Sequence, residues 1–545
     1  MARQVIGWGV LLLLVAFGLR IAGIDYGQPV APERDGGAPF LNAQVPIHPD
    51  EYFYVSIPLQ MHLQGRLNPQ FYENPSLLIY ANYLTYALGD NVSAIAQLDW
   101  QSRSLRELAP FPLYVIGRVY SVLGGLLAVA GTVAAARLLA GRWAALTAGL
   151  VAAFSLPLIQ HAHYTTTTSL ATGFGAVSLW AALAALRTEG RHRWLYVLAA
   201  IMGGLAAGSR YNAAAYALPV FVAGLLLLWR QVPGARLSVG LGWAALPLTF
   251  LLTTPGILFD FSEFWRQFTF IYSRYSFGEA VGFFEALYYE YRYIILFGLG
   301  IPGALAAVIG LGALASDRRR WADSALLLAF IVPYSIVVLD TPVPEISDQL
   351  TVVALPPWIV LAGAGLVALT GRLRWRYARG ILLVGTLVMP VMLGLTAVTL
   401  FTTMDTRYEA QRWISDHVPG GTRIFLLGPY NVPLNLETYS VEQRFVDFPS
   451  PEDLRAEGFE IVVVSDALAF FRARLGHLPQ AEREALAQLW SDYTALPQLY
   501  VVPRPRWWGD TIMPNNLSYW HHPAIHIYCL TERACAVGQA SVEFD

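Results

Sequence analysis

Long apolar stretches alternate with short polar links along most of this chain. Apolar runs of the length that crosses a bilayer, about 20 residues each, occupy 5–23, 112–139, 143–159, 167–187, 194–209, 211–229, 237–256, 291–315, 322–339, 351–370 and 380–401. About eleven crossings of that length leave more than half the chain for loops and domains, more than a pure channel or carrier keeps outside the membrane. The links divide by charge. With the amino terminus inside, one set holds Arg137 and Arg142; Arg187, Arg191 and Arg193; Arg230 and Arg236; Arg318, Arg319 and Arg320; and Arg372, Arg374, Arg376 and Arg379. Opposite links near 160–166 and 340–350 hold no arginine. The positive-inside rule makes the first set cytoplasmic, and an odd number of crossings puts the carboxyl terminus outside. The first run, preceded by Arg3, also has the outline of a cleaved signal peptide. It reads as a retained helix, and the downstream orientation is the same either way.

Two long segments then face outward. Within residues 24–111, the stretch 76–89 (SLLIYANYLTYALG) is apolar but short and tyrosine-rich, which suits a helix lying at the interface. From 402 to 545 the composition becomes ordinary. An amphipathic helix is predicted at 405–417, strands at 423–428, 459–465, 498–502 and 524–530, and a helix at 480–494. The predicted fold class is a polytopic α-helical membrane protein of about 11 transmembrane helices with a C-terminal extracytoplasmic α/β domain. The membrane domain is residues 1–401, including the outer loop 24–111, and the outer domain is 402–545.

Composition sharpens this reading. Of 545 residues, 55% are hydrophobic and 14% charged, a balance that excludes a soluble multidomain enzyme. A net charge of -2 gives no basic excess for nucleic acid. Lysine is absent, so all 36 basic residues are arginine. The two cysteines, Cys529 and Cys535, exclude a thiolate zinc cluster. Both fall in the outer domain, where disulfides persist, and a bond between them is expected. In the outer domain no G-x-G-x-x-G follows a strand, so a nucleotide site there has little support.

Candidate chemistry gathers beyond the first helix, at His48-Pro49-Asp50-Glu51, followed by Tyr52, Phe53 and Tyr54. One reading is helix grammar, with proline and two acids in the first turn. The other is a general base held at the membrane surface. Adjacent helical residues project about 100 degrees apart, so Asp50 and Glu51 cannot share one job: one would meet the substrate and the other a cation or a backbone donor. Further along come Asn68-Pro69, the NPSLLIY stretch at 74–80, HAHYTTTT at 161–168 and GSRYN at 208–212. Arg210 interrupts an apolar stretch, and is either a snorkelling residue or a phosphate ligand. His48, His161 and His163 can be read as hydrogen-bonded structure or, with Asp50, as ligands of a divalent cation, the one cofactor the residues leave open. Tyr272, Tyr275, Tyr288, Tyr289, Tyr291 and Tyr293 read as an interfacial aromatic belt.

With these motifs in their order, residues 1–401 resemble the GT-C type membrane glycosyltransferases, the superfamily of dolichyl-phosphate-mannose protein mannosyltransferases and aminoarabinose transferases. The resemblance implies a GT-C-like fold, a catalytic Asp at Asp50 with Glu51 beside it, and a basic residue facing the lipid phosphate at Arg210. Tyr211, His163 and Tyr54 are the further candidates for substrate binding. Two positions depart from the pattern: Thr168 stands where many relatives have an Asp, and Gln349-Leu350 where the late outer loop often has Arg-Tyr. The expected function is transfer of a sugar from a polyprenyl-phosphate donor to an extracytoplasmic acceptor hydroxyl on a glycan, lipid or protein, with inversion. The donor follows from the side, because nucleotide sugars are cytoplasmic and the candidate acids face outward. The competing reading is a lipid or polysaccharide carrier, or an inactive envelope scaffold. A carrier should bury ionisable residues mid-helix, whereas the charges here gather at helix ends.

Overall fold

The computed structural model describes residues 2–27, 40–41, 48, 50–89, 111–188, 194–274, 283–339, 348–371, 376–428, 431–444, 448–466, 480–505 and 522–536. The chain divides into two compact units, Met1–Ile24 with Asp50–Val398, and Asp25–Pro49 with Thr399–Asp545.

The first unit is helical, and every apolar run of the sequence lies on helix. Among the described residues six helices, Pro112–Phe154, Thr168–Arg187, Tyr211–Trp229, Ala235–Thr253, Gln349–Gly371 and Gly380–His417, are long and apolar enough to cross a membrane. A seventh crossing is available if the pair Tyr291–Leu299 and Ile301–Ser316, bent by 110°, counts as one span. The helix Phe111–Phe154 has 44 residues, and at 1.5 Å per residue it is about twice the bilayer's hydrocarbon thickness. It is broken at Ala140 and Gly141, where Gly141 takes φ 81°, a conformation open to glycine. The break leaves the carbonyls of the first half without helical partners. Arg187 Nη1 donates to Leu138 O at 2.5 Å and Arg320 Nη2 to Leu139 O at 2.6 Å, and Asp323 accepts from both guanidinium groups. The two apolar runs 112–139 and 143–159 are thus separate rods joined at a braced corner. Close backbone approach sets the packing elsewhere, as small residues permit between apolar helices. A Cβ on Gly365 would stand 1.7 Å from the Ala306 carbonyl oxygen, so the helices Ile301–Ser316 and Asp348–Gly371 meet only because that side chain is missing.

The second unit is built on a five-stranded sheet. Its strands, in chain order after the short β1 (Phe40–Leu41), are β2 (Arg423–Leu427), β4 (Ser440–Arg444), β5 (Ile461–Ser465), β6 (Gln498–Val502) and β7 (Ile525–Cys529), with the two-residue β3 (Leu434–Asn435) outside the sheet. The order is β4-β2-β5-β7-β6, with β4, β2 and β5 parallel and β7 antiparallel to both neighbours. Period-two alternation buries both faces. Ile424, Leu426, Ile461, Val463 and Ile527 pack with Ala410 and Trp413 of the helix Thr406–His417, and Phe425, Leu427, Val462 and Val464 pack with Leu454 and Tyr493. The four strands expected from sequence are present, within a residue or two of their predicted ends. β4 was not anticipated. Its sequence, SVEQR, has no apolar alternation because it is a half-exposed edge strand. Cys529, the last residue of β7, is disulfide-bonded to Cys535.

Residues at the start of the expected outer loop group with this unit rather than with the helices. Tyr26 donates its hydroxyl to Asp405 Oδ2 at 2.6 Å, Tyr408 donates to Gly27 O at 2.9 Å, and β1 pairs antiparallel with β3. The division at 401/402 expected from hydropathy alone therefore differs from the compact units, because three polar and backbone contacts hold residues after Ile24 to the sheet domain.

His522 is fully buried beside Tyr26, Asp405 and Arg407, with Nε2 2.8 Å from Leu400 O. Burial lowers the pKa of His522 and of His526 below the ordinary imidazole value. The unfolded chain takes up protons as pH falls through about 6.5, while the folded imidazoles stay neutral. Their contribution is therefore complete above about pH 6.5 and is lost as pH falls towards the folded values. Thermal melting of the full-length protein should drop between about pH 7.5 and 5.5, and the drop should be smaller in H522Q, whose amide can still donate to Leu400 O.

Candidate active site

Asp50 is the N-cap of the helix Glu51–Leu63, and the two acids diverge as their helical spacing requires. Glu51 is fully buried. Its Oε1 accepts from Arg118 Nε at 2.9 Å and from the Thr165 backbone N–H at 2.8 Å, and its Oε2 lies 3.3 Å from Arg118 Nη2. Arg118 Nη1 also donates to Ile24 O at 2.8 Å. Glu51 thus meets the cation and the backbone donor that were expected of one member of the pair. Glu51, the catalytic candidate named beside Asp50, has its carboxylate against the Arg118 guanidinium.

Asp50 is only half-buried, and Gln349 Nε2 approaches its Oδ2 at 3.5 Å. Gln349 leads on to Arg210, whose Nη1 donates to Gln349 Oε1 at 2.8 Å and to Thr168 Oγ1 at 3.1 Å. Arg210 follows the helix Trp194–Ser209 in extended conformation (φ -154°, ψ 130°) and caps the 3-10 turn Tyr211–Tyr216. It is 8% exposed, and no carboxylate pairs with it among the described residues. Thr168 and Gln349, the two positions at which the sequence departs from the resemblance, both accept from the Arg210 side chain. Tyr211 donates its hydroxyl to Tyr72 O at 2.9 Å, with its ring against Phe268 at 5.1 Å. Tyr72 in turn donates to Asn68 Oδ1 at 2.7 Å, which gives the Asn68-Pro69 turn its role.

Other candidates are committed elsewhere. Tyr54 is a core residue, packed with Met61, Leu78, Ile79 and Leu170, and its carbonyl accepts from Asn82 Nδ2 at 2.8 Å. The ring nitrogens of His163 lie 2.9 Å from Ile159 O and 2.8 Å from Ala22 O. Burial outweighs the pull of those carbonyls and pushes its pKa down to about 4, and both ring nitrogens of His163 lie against backbone carbonyls. His161 is buried edge-on against Tyr164, and His48 is half-buried. Among the described residues no group of three or more His, Cys, Asp or Glu is placed to hold a metal ion. Arg118 was not anticipated, although a lone arginine inside an apolar run is a signal for a buried partner. Arg20 carries the same signal: fully buried, it donates to Ala152 O at 3.0 Å and Ala153 O at 3.1 Å and so caps the carboxyl end of Phe111–Phe154.

Residues 108–259 match the family model of dolichyl-phosphate-mannose-protein mannosyltransferase. The crystal structure of ArnT from Cupriavidus metallidurans in the apo state aligns over 98% of this chain and 99% of that chain, with a TM-score of 0.50 and 16% identity. The fold is that of the GT-C membrane glycosyltransferases. The same ArnT bound to undecaprenyl phosphate gives a TM-score of 0.49 at 16% identity over 97% of this chain and 99% of that one. The archaeal oligosaccharyltransferase AglB from Archaeoglobus fulgidus gives 0.46 at 12% identity over 86% of this chain and 70% of that one. No curated protein sequence matches the chain. The matched segment 108–259 contains Arg118, Thr165, Thr168 and Arg210, while Asp50, Glu51 and Gln349 lie outside it.

The buried pair predicts an asymmetric response. Removing one side of a buried ion pair leaves the other charge desolvated without its counter-ion here, so E51Q or R118M should lower stability by about 3–5 kcal/mol. The double variant E51M/R118M, which removes both charges, should recover much of that loss, as thermal melting of the detergent-purified protein would show. Equal melting of E51Q and the unaltered protein would contradict the pairing.

Proposed function

We propose that this protein is an integral membrane glycosyltransferase that moves a sugar from a polyprenyl-phosphate donor to an acceptor hydroxyl on the outer face of the cytoplasmic membrane, with inversion. The observation that carries the reading is the state of Arg210. A guanidinium so nearly buried is costly unless an anion compensates it, yet its partners among the described residues are the neutral side chains of Thr168 and Gln349. A phosphodiester supplies a single negative charge and an oxygen geometry that matches the guanidinium fork.

In this reading Asp50 takes the proton of the acceptor hydroxyl, whose oxygen attacks the anomeric carbon. The bond from that carbon to the phosphate oxygen breaks, and the polyprenyl phosphate leaves with an added negative charge held by Arg210. A single displacement from the face opposite the leaving group inverts the centre. The arginine distribution supports the outer side. Counting Phe111–Phe154 as two crossings, the bent pair as one and the three shorter apolar helices Gly7–Ile21, Trp194–Ser209 and Trp321–Ile336 as one each gives, among the described residues, the odd number that a carboxyl-terminal domain on that side requires. The acceptor class, whether glycan, lipid or protein, is set by surfaces beyond this pair of residues.

The test separates chemistry from donor binding. With purified protein, a polyprenyl-phosphate sugar and a competent acceptor, D50N should lower turnover by about 100-fold or more while still binding the donor. R210A should weaken donor binding. Transfer by D50N at the unaltered rate would sink the mechanism.

A further inference from the structure

We propose that Gln349 is a positioning residue that holds the cation of Arg210 and the carboxylate of Asp50 in one site without letting them neutralise each other. The inference rests on the glycosyl-transfer reading of those two residues and assigns the part between them. A guanidinium can only donate hydrogen bonds, so the side-chain oxygen of Gln349 must be the atom that faces Arg210, at 2.8 Å. The amide nitrogen is then the end that faces Asp50 Oδ2, at 3.5 Å. An amide does both at once because one end accepts, the other donates, and the whole is uncharged. A carboxylate at this position would pair with Arg210, and a cation would pair with Asp50. Either would consume one of the two charges that the reaction uses. A direct Arg210–Asp50 ion pair would consume both.

The surroundings hold Gln349 in that place. Gln349 lies in the first turn of the helix Asp348–Gly371. The next residue, Leu350, accepts the hydroxyl of Tyr334 on its carbonyl, and Tyr334 accepts from Asn212 Nδ2 at 2.6 Å. One turn on, the Val353 carbonyl accepts from Tyr216 at 2.8 Å. Asn212 and Tyr216 belong to the turn that follows Arg210, so the amide and the guanidinium are tied to one another through backbone as well as directly. Thr168 completes the arrangement as a second neutral acceptor on the same Arg210 nitrogen. Together they orient the guanidinium while leaving its charge for an incoming phosphate.

The test uses the full-length purified protein, undecaprenyl phosphate as the binding probe and a polyprenyl-phosphate sugar for turnover. Q349E places a carboxylate on Arg210 and should weaken binding of undecaprenyl phosphate by about 10-fold or more, with donor KM rising in step. Q349M keeps the length but makes neither bond; it should bind within about 3-fold of the unaltered protein yet lose about 10-fold in kcat. A merely structural role would move binding and turnover together in both variants. Parallel losses in Q349E and Q349M, or values for both within about 2-fold of the unaltered protein, would overturn the inference. R210A and D50N separate its failure from that of the underlying reading. If those two lose binding and turnover respectively while the Gln349 variants keep both, only the inference falls. If the unaltered protein neither binds nor transfers, the glycosyl-transfer reading falls and takes this one with it.

Discussion

The buried ion pair of Glu51 and Arg118 is the contact on which the placement of the site depends. Four stretches of chain meet there: the end of the first helix through Ile24 O, the start of Glu51–Leu63, the long helix carrying Arg118, and the threonine stretch through the Thr165 N–H. Desolvating two charges is expensive, and the geometry returns that cost only because almost every polar atom of the pair is matched. What the pair contributes is direction. With Glu51 held inward by three donors, the neighbouring residue is turned about 100 degrees away, and Asp50 is the acid left at the half-buried edge. A pair of carboxylates that reads as ambiguous in one dimension is divided by a single arginine into a fully buried member and a half-buried one.

The same physics is used in the opposite sense at Arg210. Around Arg118 the low-dielectric interior is made tolerable by neutralisation. Around Arg210 the neighbours are oriented dipoles, Thr168 and Gln349, which satisfy hydrogen bonds without cancelling charge. Such a site is costly while empty and favourable when an anion arrives, which is how a cation can be reserved for a substrate phosphate. Thr168 and Gln349 are best understood together. A chain with an acid at one of these positions and an arginine at the other would keep the same summed charge as Thr with Gln, so the local balance is unchanged although both partners differ.

Most of the fold was legible because its determinants are local. Apolar runs became helices, the four predicted strands fell where apolar alternation put them, and the gap between the runs 112–139 and 143–159 marked the corner that divides one long helix into two. β4 was not legible, since an edge strand of sequence SVEQR answers to its neighbour β2 rather than to a buried face. Nor was the attachment of Tyr26 and Gly27 to the sheet domain, which depends on partners almost 400 positions away. At the site, Asp50 and Arg210 stood out by sequence. Tyr54 and His163 stood out too, but their chemistry is used on core packing and on backbone carbonyls. Arg118 and Gln349 acquire meaning only through residues distant in sequence. Motif spacing could single out Asp50 and Arg210 as candidates, and only the tertiary arrangement shows Gln349 between them.

The central claim is that Arg210, and not the paired Arg118, receives the lipid phosphate. The most direct measurement is electron cryomicroscopy of the full-length protein with undecaprenyl phosphate. The account predicts phosphate density within about 3 Å of the Arg210 guanidinium, as charge-assisted hydrogen bonds require, with Glu51 still joined to Arg118. Phosphate bound at another cation, with Arg210 still held only by Thr168 and Gln349, would contradict it.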